Sequence, residues 1–451
     1  MIVPPRREPG GPPRWVRRLT FGTALLALVA SVPWLTRIGW RNAVSAEGQI
    51  AATAAADASA PGYQAMVTPT PTMLVVHRGP QGQLAGVSML ALAGDSGGGA
   101  VLLVPTGLIP EPDAPVPQTL TAIYNSGGVA ELTATLGRLF RVGFQTVVTA
   151  DARDWLVAAG TTALSVDNPD EVLDVDGSVA FEPGPLQLSG EAIERYLRLR
   201  NPGEDERGHL YRTQLLWQSW MSSLASAAPT DTATAAGTAA PSSDPAAAAD
   251  PFASMVDELG RAPVEVVTLP VAVADEDTLA RVDTSAAGVA TAEGASGDDG
   301  SEDDGSGTDG ADEPVLFVAD ADSVRTLVAT LVPFPTSAQP GDRVRVRLLN
   351  GLGDPGQALN VASILVPAGA EITVFGNADR FDHATSTVLY YDPAQQANAE
   401  VLASVLGLAS ASYSQTGETA VDVTVIVGGD LAQPAAAPKL TVPSRPAAGN
   451  G

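Results

Sequence analysis

Four arginines lie close together in one short segment, and they are the residues with the clearest potential for chemistry. The four are Arg198, Arg200, Arg207 and Arg212, in the segment of residues 188–214, which also contains Arg195. The whole chain carries a formal net charge of -26, so such a run of cations needs a partner. The arginines either pair with nearby carboxylates or bind an anion that is not part of the protein. The nearby carboxylates are Glu191, Glu194, Glu204, Asp205 and Glu206.

Helical periodicity places the first two of these arginines in different environments. A helix is predicted near 189–200, and its buried face consists of Ile193, Tyr196 and Leu197. Glu194 and Arg198 are spaced as i and i+4, so we expect Arg198 to form a surface ion pair. Arg200 continues the buried face and is therefore a candidate for binding an external anion.

A second helix is predicted near 209–224, with an apolar stripe made of Leu216, Trp217, Trp220 and Leu224. His209 and Arg212 fall on the same face, in the predicted first turn. A helix N-terminus attracts anions through its free N–H groups, and arginine adds a planar donor that suits phosphate. The pattern favours a phosphate or pyrophosphate ligand for Arg200 and Arg212. The alternative is an internal bridge to Asp205 or Asp151.

The composition limits the classes of function. A length of 451 residues allows two ordinary domains with linkers. The absence of cysteine excludes disulfides, thiolate metal sites and cysteine nucleophiles. The three histidines are far apart in sequence, which argues against a histidine-rich metal site, and no cofactor is predicted. The acidic balance argues against non-specific binding of nucleic acid.

One uncharged apolar stretch, residues 19–36, is long enough for a transmembrane helix. Residues 1–18 carry more arginines than the positions just after the stretch, so they are predicted to stay in the cytoplasm. The bulk of the chain is then extracytoplasmic, on a single-pass plasma-membrane protein. The alternative is a cleaved export signal with its cleavage site near residues 44–46.

The rest of the chain divides by composition and periodicity. Residues 37–66 are predicted to be a stalk, and residues 67–336 an α/β sheet domain flanked by helices, because predicted strands alternate with helices. Two stretches inside that domain, 225–250 and 291–313, are predicted to be disordered. The first lacks periodicity, and the second carries nine carboxylates and no basic residue. The tail, 433–451, is also predicted to be disordered.

Residues 337–432 are predicted to form a second, small domain. Its pattern of elements is β-α-β-β-α-β, which is the split βαβ arrangement. Gly351, Gly353 and Gly356 spell the G-x-G-x-x-G pattern of dinucleotide-binding loops. We reject that function, because the domain is too short for a doubly wound sheet and Pro355 lies inside the pattern. A tight turn followed by a helix start explains it instead.

Two parts of the chain resemble a known family. The blocks LSGEAIERYLRLR, RGHLYRTQLL and LTAIYNSGGVAELTATLGRLFRVGF resemble segments of LytR-CpsA-Psr domains, and this resemblance covers most of residues 70–224. VRVRLLNGLGDPGQALNVASIL, FGNADRFDHATSTVLYY and VDVTVIVGGDL resemble the LytR C-terminal domain. The resemblance implies a membrane-anchored, extracytoplasmic enzyme. Such enzymes move glycopolymers from polyprenyl-linked carriers onto peptidoglycan, with magnesium at the pyrophosphate.

The chain departs from the family where the chemistry is done. Pro71 stands where the family has an aspartate for the metal, and Thr106 and Gly107 stand where it has a catalytic arginine and aspartate. His209 replaces an arginine, whereas the final glutamine of that motif is present as Gln214. Metal-assisted phosphoryl transfer needs carboxylates on the ion and cations on the developing charge. This chain therefore resembles a degenerate member, a pseudoenzyme.

The favoured hypothesis is a non-catalytic cell-envelope protein without a metal. It would bind polyprenyl-linked or wall glycopolymer, or peptidoglycan, or assist active paralogues. The alternative is an active glycopolymer–peptidoglycan transferase, and magnesium belongs to this alternative alone. A scaffold without ligand fits if Arg200 and Arg212 are bridged internally. The candidate ligand-binding residues are Arg198, Arg200, His209, Arg212 and Gln214.

Overall fold

The structure is a computed structural model, and the predicted span at 19–36 lies outside the residues that it describes. Within the described residues, none of the helices is long and apolar enough to cross a bilayer. The predictions for 1–18, 291–313 and 433–451, and for most of 225–250, also fall outside them. The structure describes residues 57–94, 97–151, 154, 163–189, 191–227, 250–282, 315–416 and 420–431.

A five-stranded sheet forms the centre of the first domain. Its strands are β2 (Thr72–Arg78), β3 (Leu84–Leu92), β4 (Gly99–Val104), β6 (Thr146–Ala150) and β11 (Val264–Thr268). Their order is β11-β4-β3-β2-β6, with β3 antiparallel to β2 and β4, and the other pairs parallel. The carboxyl ends of β2, β4 and β6 therefore meet at one edge of the sheet.

Helices cover both faces of this sheet, because side chains alternate along each strand. Met73 and Val75 of β2 pack on one face, against α2 (Glu191–Arg198), α3 (Glu206–Ala227) and α4 (Pro251–Leu259). Leu74 and Val76 pack on the other face, against α1 (Leu120–Phe140) and α6 (Ala321–Leu331). Burial of alternating residues on two faces yields a three-layer α/β domain, and the predicted α/β fold class is confirmed.

Short elements complete the first domain. A three-stranded sheet consists of β5 (Leu108–Ile109), β12 (Val271–Val273) and β13 (Phe317–Ala319), in the order β12-β13-β5. The short helix α5 (Glu276–Leu279) lies between β12 and β13 in sequence. Two hairpins precede α2, and they are formed by β7 (Leu164–Asn168) with β10 (Gly184–Leu188) and by β8 (Val172–Leu173) with β9 (Val179–Phe181).

The second domain has the predicted β-α-β-β-α-β order, with one additional short strand before the last. Its elements are β14 (Val344–Asn350), α7 (Pro355–Leu365), β15 (Ala370–Asn377), β16 (Thr387–Tyr390), α8 (Gln396–Val405), β17 (Ser412–Tyr413) and β18 (Val423–Val427). Buried aliphatic residues from the strands and both helices form one core, separate from the cores of the first domain.

The sheet of the second domain also contains a strand from far upstream. Residues Gln64–Met66 form β1, which pairs antiparallel with β15 at the edge of the sheet. Asn377 donates hydrogen bonds to the carbonyls of Ala58 and Ala60 over 3.0 and 2.8 Å. The sequence placed these residues in the stalk, because their Ala/Ser/Gly-rich composition carries no strand periodicity. Pairing with a distant edge strand decides their structure instead.

Candidate functional site

Arg212 is buried and engaged with its own chain. Its exposed fraction is 4%, its Nε and Nη2 donate to the two carboxylate oxygens of Glu204 over 3.1 and 2.8 Å, and Nη2 also donates to the carbonyl of Leu199 over 2.8 Å. Glu204 therefore accepts the pair of hydrogen bonds from Arg212 that the sequence analysis assigned to a phosphate. The predicted alternative of an internal bridge describes Arg212 correctly, but the partner is Glu204, not Asp205 or Asp151.

Asp205 has a different role at the same place. Its carboxylate accepts the backbone N–H of Gly208 over 2.9 Å, which is the bond of an N-cap residue. The helix α3 begins at Glu206, and its free, anion-attracting N–H groups are in the first turn. Arg212 lies beyond that turn. Arg212 is therefore not at the helix N-terminus, because α3 begins earlier than expected and carries its own cap. A phosphate ligand for Arg212 stays a prediction.

His209 is a neutral, structural side chain. It is 6% exposed, and its Nε2–H donates to the carbonyl of Leu197 near the end of α2. Burial, together with the charges of Arg200 and Arg212, lowers the pKa of His209 from 6.5 to about 3. His209 thus carries no positive charge at neutral pH, contrary to its predicted role as a cation. His209 and Arg212 together satisfy carbonyls at the C-terminal end of α2, which a helix leaves without intrahelical partners.

Gln214 also makes an internal bond. Its Nε2 donates to the carbonyl of Val266 over 2.7 Å. Val266 lies on β11, an edge strand of the five-stranded sheet, so this bond satisfies a carbonyl on the open side of the strand. Gln214 therefore joins α3 to the sheet.

The other two candidates, Arg198 and Arg200, are exposed. Arg200 lies after the end of α2, which the sequence extended to residue 200, so it does not continue the buried face. Its Nη2 is 3.6 Å from Oε1 of Glu206, and 43% of its side chain is exposed. Arg198 lines a cavity between the sheet and the helices. Of the five candidates, Arg198 and His209 line this cavity, whereas Arg200, Arg212 and Gln214 do not.

This cavity lies at the carboxyl ends of β2, β4 and β6, where open α/β sheets commonly bind ligands. Its volume is about 50 Å³. Its apolar wall is formed by Ala85, Val87, Leu103, Val104, Ala150, Leu197 and Leu210. Arg78 and Arg198, both exposed residues, and the carboxylates Asp151 and Glu206 also line it. An apolar cavity edged by charged groups suits an amphipathic ligand.

Two imidazoles also line the cavity, the half-buried His77 and the buried His209. His77 lies at the end of β2, and its Nε2 is 2.9 Å from the hydroxyl oxygen of Ser88. Burial lowers the pKa of His77 to about 3. Both rings are therefore neutral at physiological pH, and the positive charge of the cavity comes from arginine alone.

Sequence reasoning missed the most strongly bonded carboxylate of the site, Glu206. This side chain is 5% exposed and accepts hydrogen bonds from the backbone N–H of Thr106 (2.5 Å), the hydroxyl of Thr106 (2.6 Å) and the N–H of Gly107 (2.8 Å). Thr106 and Gly107 are the positions where the resembled family has its catalytic arginine and aspartate. Their bonding to a residue about a hundred positions away has no signal in local spacing.

A magnesium ion does not fit at Thr106 and Gly107. Neither residue carries a carboxylate, and their N–H and hydroxyl groups donate to Glu206, whereas magnesium is usually held by carboxylate oxygens. Within the described ranges, His, Asp and Glu form no group of three or more that could hold a metal. No step of a reaction is therefore assigned to a metal at this position.

The three glycines of the second domain serve local packing. A side chain at Gly351 would come within 2.9 Å of His383, and Gly353 has a positive φ of 79° with the ring of Phe381 beside it. The carboxylate of Asp354 accepts the N–H of Gly356 and caps α7. Close contact between two loops and a helix cap account for the spacing, in agreement with the turn and helix start that the sequence predicts.

A comparison with protein-family models agrees with the second of the two resemblances in the sequence. A family model described as LytR cell envelope-related transcriptional attenuator matches residues 343–431. No curated protein gives a significant match to the chain.

Several solved structures are similar at low identity. A transcriptional regulator from Enterococcus faecalis is 13% identical, with 58% of this chain and 86% of that chain covered and a TM-score of 0.37. Bacillus subtilis TagT is 12% identical, with coverages of 58% and 90% and a TM-score of 0.38. The LytR-CPS2A-psr family protein YwtF (TagT) with bound octaprenyl pyrophosphate lipid is 12% identical, with coverages of 58% and 89% and a TM-score of 0.36. Residues 343–431 match the family model, and they are the part of the chain that the sequence predicts to be a LytR C-terminal domain.

Proposed function

We propose that this chain is a membrane-anchored, extracytoplasmic protein of the cell envelope that binds a polyprenyl-phosphate-linked glycan without transforming it. The anchor is the apolar stretch at residues 19–36. The ligand class follows from the resemblance of residues 70–224 to LytR-CpsA-Psr domains. The family match of residues 343–431 supports the cell-envelope assignment.

The observation that carries this proposal is the cavity at the carboxyl ends of β2, β4 and β6. Its apolar wall suits an isoprenoid chain, and Arg78 and Arg198 suit the phosphate at the end of that chain. A volume of about 50 Å³ exceeds the roughly 10–15 Å³ that one water needs, but it holds only a few waters. A long polyprenyl chain thus enters only if α2 and α3 move away from the sheet.

The absence of catalysis is supported by the bonding around Thr106 and Gly107. Their donors are used by Glu206, and neither residue supplies a carboxylate for a metal or a cation for a transition state. One observation favours the alternative, an active transferase with magnesium: Asp151 and Glu206 line the same cavity and are both carboxylates. The bridges of Arg212 to Glu204 and of Arg200 to Glu206 favour a scaffold without ligand.

Binding of farnesyl phosphate and undecaprenyl phosphate to the purified protein in detergent tests the proposal. We expect Arg198→Ala and Arg78→Ala each to weaken binding by roughly tenfold to a hundredfold, since a charge-assisted contact contributes about 1.5–3 kcal/mol. Arg261→Ala is the matched control, because Arg261 is an exposed arginine that forms a surface pair with Asp257.

The choice of ligand separates the hypotheses. Farnesol, which lacks the phosphate, should bind much more weakly than farnesyl phosphate. Equal loss of affinity in Arg198→Ala and Arg261→Ala would indicate diffuse electrostatics instead of a binding site. No binding of either phosphate by the wild-type protein would exclude this function in favour of the scaffold.

A further inference from the structure

The loop after β4 contains a group of donors that point at one carboxylate. The N–H groups of Thr106 and Gly107 and the hydroxyl of Thr106 all donate to Glu206 over 2.5–2.8 Å. Successive backbone N–H groups that converge in this way form a concave site for anions in many proteins. In this chain the anion is a side chain of the protein itself.

Glycine at position 107 makes room for that carboxylate. A Cβ atom on Gly107 would lie 2.8 Å from Oε2 of Glu206, closer than such atoms approach. Arg200 adds a cation on the outer side, 3.6 Å from Oε1, and remains partly exposed. The group therefore has the parts of an oxyanion site: three neutral donors inside and a partly exposed arginine at the edge.

The position of this group relates it to the proposed ligand. Thr106 and Glu206 both line the cavity whose apolar wall would hold the isoprenoid chain. A phosphate at the end of that chain lies beside the donors that Glu206 uses. A phosphate and a carboxylate are both oxyanions, so they repel each other and cannot share the same three donors.

We propose that Thr106 and Gly107 form a phosphate-monoester site and that Glu206 keeps this site closed in the ligand-free protein. Glu206 and the phosphate compete for the same donors, and Arg200 passes from the carboxylate to the phosphate when the ligand binds. This proposal deepens the proposed function, on which it rests for the lipid, but the anion site itself can be tested without any lipid.

Inorganic phosphate is the probe, and its binding is measured by calorimetry and by thermal unfolding of the purified full chain in detergent. Glu206→Ala removes the competing carboxylate and leaves the donors in place. We expect this variant to bind phosphate at least about tenfold more tightly than the wild type, because charge-assisted hydrogen bonds replace donors left without a partner. Phosphate should also raise its melting temperature in a concentration-dependent way, since a ligand stabilises the state that it binds.

Asp205→Asn is the matched control. It removes one negative charge from the neighbouring residue, and asparagine caps a helix about as well as aspartate. It does not touch Thr106 or Gly107, so phosphate binding should change by less than about threefold, as expected for a screened surface charge. An equal gain in Asp205→Asn and Glu206→Ala would overturn the proposal, because the effect would then be one of net charge.

A second variant covers the case in which Glu206→Ala does not fold. Glu206→Asp keeps the charge but withdraws the carboxylate by one methylene, so it should bind phosphate more tightly than the wild type does. Phosphate affinity equal to the wild type in both variants would overturn the anion site. Tighter phosphate binding by Glu206→Ala, together with no polyprenyl phosphate binding by the wild type, would support the anion site and exclude the proposed lipid ligand.

Discussion

The guanidinium of Arg212 and the carboxylate of Glu204 form a two-pronged ion pair that joins α3 to the loop before it. The two hydrogen bonds are 3.1 and 2.8 Å long, and the arginine also lies over the ring of Tyr196, 5.6 Å from its centroid. Residues of α2 and α3 form part of the wall of the cavity. The pair does not line the cavity itself, but it fixes the position of α3 and so affects the shape of the cavity. Its role is to position the helices.

Arg212→Ala should therefore lower stability. Removing one partner of a buried pair leaves the other charge without compensation and costs about 3–5 kcal/mol in the free energy of unfolding. Arg261→Ala, at an exposed i,i+4 pair, should cost about 0.5 kcal/mol or less. Urea denaturation of both variants measures the difference. Similar stability of the two variants would mean that Glu204 finds solvent or another partner when Arg212 is lost.

His209 makes stability depend on pH in a direction set by its lowered pKa. In the unfolded chain the imidazole takes up a proton near pH 6.5, whereas in the folded protein its pKa is about 3. The unfolded state thus binds more protons between these values, and stability falls as the pH falls through this window. The expected slope is about 1.4 kcal/mol per pH unit for each such histidine.

His209→Gln tests this slope, because an amide can still donate to the carbonyl of Leu197 but does not titrate. Between pH 6 and 4.5, the slope of the unfolding free energy against pH should be smaller than in the wild type by about 1.4 kcal/mol per pH unit, which corresponds to one proton. His77, whose pKa is lowered in the same way, should supply a similar remaining slope. An unchanged slope in His209→Gln would mean that His209 is not buried in the folded protein.

The second domain should depend on its upstream strand. A fragment of residues 337–432 contains a complete core and should fold alone, but fusing residues 57–68 to it should raise its melting temperature by pairing β1 with β15. Asn377→Ala should remove most of this gain, since it deletes two hydrogen bonds to the upstream segment, each of about 1 kcal/mol. Equal melting temperatures with and without residues 57–68 would mean that the β1 pairing adds nothing to stability.

The membrane topology has a direct test. An enzyme reporter fused after residue 451 should be active outside the cytoplasm and inactive inside it, because the heavier basic charge precedes the apolar stretch. A cytoplasmic reporter would contradict the cell-envelope assignment as a whole.

The wild-type protein should show no turnover of polyprenyl-pyrophosphate glycans, with or without magnesium. Pro71, Thr106 and Gly107 provide neither a carboxylate for the metal nor a cation for the developing charge. Mass spectrometry of the lipid-linked glycan after incubation measures this. Magnesium-dependent cleavage that is lost in Asp151→Asn would instead establish the alternative, an active transferase.

The sequence by itself determined the fold class, the second domain and the buried faces of the helices around the arginines. These features depend on local periodicity: Trp217 and Trp220 repeat at helical spacing and are both fully buried, and the β-α-β-β-α-β order follows from successive segments of the chain. The LytR C-terminal blocks are contiguous, so the family match of residues 343–431 was also predictable.

The tertiary structure alone decided which charged groups meet. Helical spacing predicted that Arg200 and Arg212 share an environment. In the structure α3 starts at Glu206, Arg212 pairs with Glu204, and Arg200 pairs with Glu206. The bonds from Thr106 and Gly107 to Glu206, and the pairing of β1 with β15, join residues about a hundred or more positions apart. Such contacts form because packing of the sheets brings distant segments together, and local spacing in the sequence does not predict which segments will meet.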